Sequence, residues 1–592
     1  SPMQLTLEQK NILATNGDLK INAVAGSGKT TTIIQLARQL PTSSKVIYIA
    51  FNKTVKEEAA IKFAALGLHH VTVETAHSLA YKHIVFSQGY KLKSNGYKLH
   101  ELPEILELQK NTEKHFEFII ANHVLKMASL FCNSDKQKVE ELDYLATIDN
   151  EKTFLFVQSC LPFIVLQTRR FLAKMNNKEI DVTHDFYLKK FQLANPILPY
   201  QFILFDEAQD ASAAMLDVVL KQNATKIIVG DTHQQIYSWR HAINSLEHVN
   251  FKTLHLTNSF RFNDNIAALA NEILAYKNLF NEKSIIENVV GLGKSETIKT
   301  KATIARTNIG LLMEAIDYVT NNKKISKIYF EGNINSYTYA DDGTSLYDVL
   351  YLFNKQHSKI KDGLIKSMKE FKDLEEYIDN TDDVQLGMLV EIIKEYETEI
   401  FDILKLLKEK HVSLAEKETA QMIFTTVHRC KGLEYDEVRL AEDFITKDKI
   451  DKLTENSLDS LQLLKLNEEI NLLYVAVTRA KAKLKIPYSL LPPNFPIKGN
   501  IIGIKKKPAE NIEDGKSAKI NVPQKSSSKN SYKNDYHNFE QAYKPWSDEL
   551  DDELANLYCK NMNVEKIASK MGRTKGAIWS RIKKLQLEDL YG

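Results

Sequence analysis

Residues 21–32 read INAVAGSGKTTT. An apolar, β-forming run over residues 19–24 leads into this stretch, and residues 31–40 leave it at helical periodicity. Strand, glycine loop and helix in that order form the setting in which backbone cradles phosphate. Gly26 and Gly28 allow a tight turn, so that N–H groups of Ala25, Gly26, Ser27, Gly28, Lys29, Thr30 and Thr31 can face phosphate oxygens. Lys29 supplies a point charge for the β- and γ-phosphates, and the Thr30 hydroxyl suits Mg²⁺. Ala23 stands where the consensus has its first glycine.

A phosphate loop calls for a second site, and FILFDEAQDAS at residues 202–212 supplies one. An apolar strand ends there in two carboxylates. Asp206 suits a Mg²⁺ ligand, directly or through water. Glu207 is placed to orient and deprotonate an attacking water. Together the two stretches predict hydrolysis of a nucleoside triphosphate. Further on, KIIVGDTHQQIYSWRHA at residues 226–242 runs from another apolar strand into a polar loop. In an extended segment Tyr237 and Trp239 would share a face. Beside Arg240 they would form a platform for stacked bases, at about 1–3 kcal/mol per base. Filling a core is the alternative for both rings.

The 592 residues predict several domains, at about 100–200 residues each. Hydrophobic content of 43% and charged content of 26% fit globular protein rather than disorder. A net charge of +2 requires that any polyanion be met by local basic surfaces. The four cysteines are scattered without a CxxC pair, which argues against a disulfide framework or zinc cluster and fits a reducing compartment. There is no apolar run of membrane-spanning length and no signal-peptide pattern, so no membrane partner is expected.

In order, the chain carries LTLEQKNIL, AVAGSGKTT, IAFNKTVKEEA, VETAHSLAY, FDEAQD, VGDTHQQIYSWR, LTNSFRF, IARTN, TTVHRCKGLEYDEV and EEINLLYVAVTRAK. This series resembles superfamily 1 DNA helicases of the UvrD/Rep/PcrA type over residues 4 to about 490. HQQIY and HDFYLKKFQL point toward the F-box DNA helicase branch, without an F-box in the sequence read here. The resemblance implies ATP and Mg²⁺ as cofactors, and Gln9 and Phe260 around adenine, with Glu434 on the ribose. It implies Gln234 sensing the γ-phosphate, and Arg261 and Arg479 reaching it from a second motor domain. Single-strand contacts are implied for Phe51 or Asn52, His77, Tyr237, Trp239, Arg240 and Thr426. Ala76 replaces a common phenylalanine, and Arg306 in IARTN is left between a functional role and a structural ion pair.

The fold expected from the resemblance is α/β: two RecA-like parallel-sheet motor domains with helical insertions. Motor domain 1A would take residues 1–79 and 191–245, with insertion 1B at 80–190. Motor domain 2A would take 246–309 and 419–490, with insertion 2B at 310–418. The Pro-, Lys-, Ser- and Asn-rich residues 491–540 read as a flexible basic linker. Residues 541–592 read as three short helices capped by Ser547 and Thr574, with Leu554, Ile567, Ile578 and Ile582 inside. They resemble a Myb-like or helix-turn-helix unit, whose Lys575 and Arg581 would contact duplex DNA. Docking to a protein is the alternative.

The implied activity is ATP-dependent 3′–5′ translocation on single-stranded DNA and opening of single/double-strand junctions, in repair, recombination or replication. The implied location is intracellular, cytoplasmic and nucleoid-associated in a bacterium or phage. Two other readings are a translocase that strips bound proteins from DNA, and a DNA-binding scaffold acting through residues 541–592.

Overall fold

The computed structural model describes residues 4–109, 115–281, 287–322, 324–332, 334–339, 344–505, 545–585 and 587, without the side chain of Trp239. Two six-stranded sheets, parallel throughout, form its centre. The first contains β1 (Leu19–Ala23), β2 (Val46–Ala50), β3 (Val71–Thr75), β4 (Phe202–Phe205), β5 (Thr225–Gly230) and β6 (Lys252–Leu256), in the order β3-β2-β4-β5-β1-β6. Asn258–Ser259 (β7) and Val290–Gly291 (β8) make a small parallel pair. The second sheet contains β9 (Lys301–Ala305), β10 (Ile328–Phe330), β11 (Met422–Thr426), β12 (Tyr435–Leu440), β13 (Ala480–Pro487) and β14 (Ile501–Ile504), in the order β10-β11-β9-β12-β13-β14.

Strands such as Val46–Ala50 and Phe202–Phe205 are continuous apolar runs, as suits parallel sheets covered by helices on both faces. Every residue of Val46–Ala50 and Met422–Thr426 is buried. In sheets of this kind, functional loops collect at the carboxyl ends of the strands. The loop after β1, the carboxylates after β4 and the polar loop after β5 therefore converge.

Three expected boundaries need correction. Domain 1A does not end at residue 245, because Lys252–Leu256 pairs in parallel with β1, Leu19 opposite Lys252. Insertion 2B does not begin at 310, because Ile328–Phe330 pairs with Met422, Ile423 and Phe424 in the second sheet. The linker does not begin at 491, because Ile501–Ile504 pairs with Leu484–Pro487. Residues 506–540 of the expected linker and 541–544 of the expected C-terminal unit lie outside the described residues.

The insertions are helical. Phe116–Asn133 and Glu151–Asn176 dominate 1B, while Phe371–Thr381, Val384–Tyr396 and Ile400–Lys410 lie in 2B. The two insertions touch: His123 Nε2 lies 3.3 Å from Asn380 O, and Thr153 Oγ1 donates to Asp379 O at 2.7 Å. At the C-terminus the helices are Asp548–Cys559, Val564–Met571 and Lys575–Lys584. Ser547 and Thr574 cap the first and third, and Gly572 closes the second at φ +63°.

Candidate functional site: a nucleotide and strand cleft

The loop between β1 and the helix Lys29–Gln39 turns on two left-handed glycines, Gly26 at φ +72° and Gly28 at φ +77°. Ser27 Oγ is buried without a hydrogen-bond partner. Lys29 Nζ lies 3.0 Å from Asp206 Oδ1 and also pairs with Glu207 Oε1. Burial works against the Lys29 charge, but the two carboxylates outweigh it and raise its pKa. Burial would likewise raise Glu207, yet Lys29 and Lys431 hold it down to about 2. Tyr48 donates its hydroxyl to Asp206 Oδ2, and the Glu207 N–H donates to Oδ1 at 2.8 Å. The first domain thus holds one cation against two anions, with the unpartnered Ser27 hydroxyl in the same loop as that cation.

The second domain closes against this loop. The Phe260 N–H donates to Gly26 O at 2.8 Å. A Cβ on Gly26 would fall 2.6 Å from Arg261 Cβ and 2.9 Å from Ser259 Oγ. Gly26→Ala would add strain of about 1–2 kcal/mol for a left-handed non-glycine residue. We expect it to push the domains apart and to depress ATP turnover strongly, with only a small change in melting temperature. Steady-state hydrolysis and a melting curve on the same preparation check this.

Arg261 Nε donates to Glu434 Oε2 at 2.8 Å, and its Nη1 donates to Thr478 O at 3.0 Å. Arg479 is 1% exposed and donates to Val475 O, Leu433 O and Thr478 Oγ1. Burial, reinforced by neighbouring Arg261, pushes the Arg479 guanidinium down to about 10. Two guanidinium groups held this close favour an anion between them. A Cβ on Gly28 would lie 3.2 Å from Gln9 Nε2 and 3.8 Å from the half-exposed Phe260 ring. Gln9, Phe260 and the loop are therefore neighbours, and Gln9 Nε2 donates to Thr32 Oγ1 at 3.1 Å.

The loop after β5 connects the two domains. Gln234 Nε2 donates to Asp231 Oδ2 at 2.8 Å, and Tyr474 from the second domain donates to the same oxygen at 3.3 Å. Lys431 Nζ reaches Asp210 Oδ2 at 2.6 Å and Gln234 O at 2.7 Å. Burial pushes Asp210 up to about 6 against the pull of Lys431. Lys277, 2% exposed, donates to Asn471 Oδ1 and lies 2.8 Å from His233 Nδ1. Asn471 Nδ2 donates in turn to Gln235 O. Sequence reading assigned no role to Lys431, Lys277, Asn471 or Tyr474. Lys431, Asn471 and Tyr474 do lie inside quoted motifs, TTVHRCKGLEYDEV and EEINLLYVAVTRAK.

Around the strand-contact candidates, Phe51 and Tyr237 stack at 6.4 Å between centroids and 20° between planes. Lys431 Nζ and Arg240 Cζ lie 5.1 and 5.4 Å from the Tyr237 ring centre, and the Tyr237 hydroxyl donates to His428 O. Residues 237–239 are not extended as expected. Ser238–Arg240 forms a 3₁₀ turn, so two-residue alternation does not place Tyr237 and Trp239 on one face. Asn52 Oδ1 caps the helix Lys53–Ala65, accepting from the Val55 N–H. His77 packs edge-on to Tyr187, and burial lowers its pKa. Thr426 is buried at the end of β11. Arg306 makes a two-armed ion pair with Glu469.

One cavity of about 2010 Å³ runs from the phosphate loop past Phe51, Tyr237, Arg240 and Thr426. Small-ligand pockets commonly measure about 300–1,000 Å³, so this one has room for more than a nucleotide.

A phosphate loop and paired carboxylates on one parallel sheet, met by arginines from a second, define a P-loop protein with its nucleotide site between two domains. The chain matches the UvrD/REP helicase N-terminal domain over residues 5–255 and the UvrD-like helicase C-terminal domain over residues 142–490. It belongs to the UvrD-like DNA helicase family. It is 31% identical to F-box DNA helicase 1 of Gallus gallus, across 83% of this chain and 50% of that protein. Identity to F-box DNA helicase protein 1 of Schizosaccharomyces pombe is 29%, across 81% and 57% respectively. The Gabija protein GajB of Bacillus cereus is 24% identical, across 81% of this chain and 94% of GajB. The chain thus spans about half the length of the F-box relatives.

Proposed function

We propose that the chain is an ATP-driven motor that moves 3′ to 5′ along single-stranded DNA and opens single/double-strand junctions. The carrying observation is the joint between domains: Arg261 seats against the phosphate loop, while Lys431 ties the Asp206-Glu207-Ala208-Gln209-Asp210 turn to the loop bearing Gln234 and Tyr237. Nucleotide bound there would be felt at the strand cleft, because the same short connections serve both.

Helicases of this family use ATP with Mg²⁺. The residues fit both. The left-handed glycines and the unpartnered Ser27 hydroxyl suit phosphate oxygens. Among the described residues no three His, Cys, Asp or Glu side chains gather as a metal site. Mg²⁺ would rest on Thr30 and Asp206, completed by phosphate and water oxygens, a common arrangement for this ion. Glu207 would take a proton from the attacking water, while Lys29, Arg261 and Arg479 would stabilise charge on the phosphates. Gln9, Phe260 and Glu434 would hold the base and ribose. Phe51, Asn52, His77, Tyr237, Trp239, Arg240 and Thr426 remain the proposed strand contacts. Among the described residues no helix is long and apolar enough to cross a membrane. The proposed setting is DNA in the cytoplasm or nucleoid, in repair, recombination or replication.

The test is ATP-driven strand separation on duplexes carrying either a 3′ or a 5′ single-stranded tail, with Glu207→Gln as the inactive control. Opening of the 3′-tailed duplex alone is expected. Opening of the 5′-tailed duplex alone would reverse the proposed polarity. Strand-stimulated hydrolysis without opening of either would favour protein stripping over unwinding.

A further inference from the structure

The C-terminal helices are seated on the motor. Lys98 Nζ pairs with Asp548 Oδ1 at 2.9 Å. Ser94, 3% exposed, donates to Asp552 Oδ1 through its N–H at 3.0 Å and its hydroxyl at 2.7 Å. Asn95 Nδ2 donates to Asp551 Oδ2 at 2.9 Å. Lys53, at the start of the helix after Asn52, sits 3.6 Å over the Tyr558 ring. The acidic face of the first helix is thus spent on the 1A–1B half of this chain.

The third helix points the other way. Lys584 Nζ lies 3.8 Å over the Tyr339 ring, next to the 2B insertion, and Lys583 lines the large cavity with Tyr339. The other basic groups of that helix have partners nearby. Arg581 forms a two-armed pair with Asp551, and Lys575 pairs with Glu565 at 3.0 Å. A helix offered to a major groove would present such groups to DNA; here Arg581 is turned inward. The module therefore touches both the 1A–1B half and Tyr339 beside 2B, and its one cavity-lining lysine, Lys583, borders the same cavity as the proposed strand contacts.

Building on the strand-motor reading above, we propose that the C-terminal module is an intramolecular clasp. Docked, it fastens the 1A–1B half to 2B across the cleft and sets Lys583 against phosphates of the bound single strand. Undocked, it leaves 1B and 2B joined by their direct contacts alone, those at His123 and Thr153 among them, and these part to admit a strand sideways. A docked protein then takes up a strand by threading a free end, and holds it longer once threaded.

The test uses the full chain carrying Ser94→Cys and Asp552→Cys, bridged by a short bis-maleimide. Each single-cysteine variant receives the same treatment, which controls for the four native thiols. Before bridging, linear and circular single strands should both stimulate ATP hydrolysis; if neither does, the strand-motor reading itself fails. After bridging, linear strands should still stimulate, whereas circular strands should leave hydrolysis at the strand-free rate. Loss with both strands, or with neither, would overturn the clasp. A second arm needs no bridge: Lys583→Glu should speed release of a bound oligonucleotide, while Lys575→Glu leaves it unchanged. Loss of blunt-duplex binding in Lys575→Glu, with strand release unaltered in Lys583→Glu, would overturn the clasp in favour of a duplex-reading module.

Discussion

Lys29→Ala is expected to bring strand-stimulated ATP hydrolysis down to background. Lys29 is the cation held between Asp206 and Glu207, and it would carry charge on the β- and γ-phosphates. Removing one preorganised electrostatic contact of this kind commonly costs about 10²–10³ in rate. A second cost follows in the protein itself, because two neighbouring acids lose their counter-ion. Glu207 is held at about 2 in the folded chain, below its ordinary 4.5. A depressed carboxyl of this sort adds stability above its unfolded pKa and loses it as pH falls toward the folded value. The melting temperature of Lys29→Ala should therefore lie below that of the parent at pH 7. That gap should narrow as pH falls below about 4.5 toward about 2. Ordinary strand-stimulated turnover in a folded Lys29→Ala would overturn the phosphate-loop assignment.

Much of this site could be read from sequence because its parts are local. The loop holding Lys29 and the turn holding Asp206 and Glu207 each sit directly after an apolar strand, and one strand–turn unit fixes their geometry. The missed elements lack such a signal. Lys252–Leu256 mixes exposed and buried residues, Ile328–Phe330 is three residues long, and Ile501–Ile504 precedes a lysine-rich run. Each is a strand because a neighbour's backbone accepts it, which is tertiary information. The interdomain joints were hidden for the same reason. Lys431 lies 221 positions from Asp210, and Asn471 lies 236 from Gln235. No periodicity relates residues so far apart. The extended reading of Tyr237 and Trp239 failed locally, since Ser238–Arg240 coils into a turn. The acidic first helix of the C-terminal module suggested protein docking, but its sequence could not show that the partner is residues 94–98 of the same chain.

Arg261→Ala should show the largest separation between binding and chemistry. Its guanidinium is held at the domain joint by Glu434 and Thr478 O, with its backbone against Gly26. Glu434 is 45% exposed at the side chain, so Arg261 can exchange this carboxylate for a phosphate at little desolvation cost. An arginine delivered from a second domain to transferring phosphate is worth about 10³–10⁵ in rate. We expect a fall of that order in turnover, with strand affinity and melting temperature nearly unchanged. Arg261→Lys should not restore the rate, because a single ammonium cannot hold Thr478 O and grip phosphate at once as the guanidinium fork can. Arg479 supplies the contrast. It is buried, and its donors are spent on Val475 O, Leu433 O and Thr478 Oγ1. Arg479→Ala would strand those acceptors, so melting temperature should fall along with turnover. If Arg261→Ala instead hydrolyses ATP at the parental rate while Arg479→Ala remains folded and inactive, the charge on the phosphates is met by Arg479 alone.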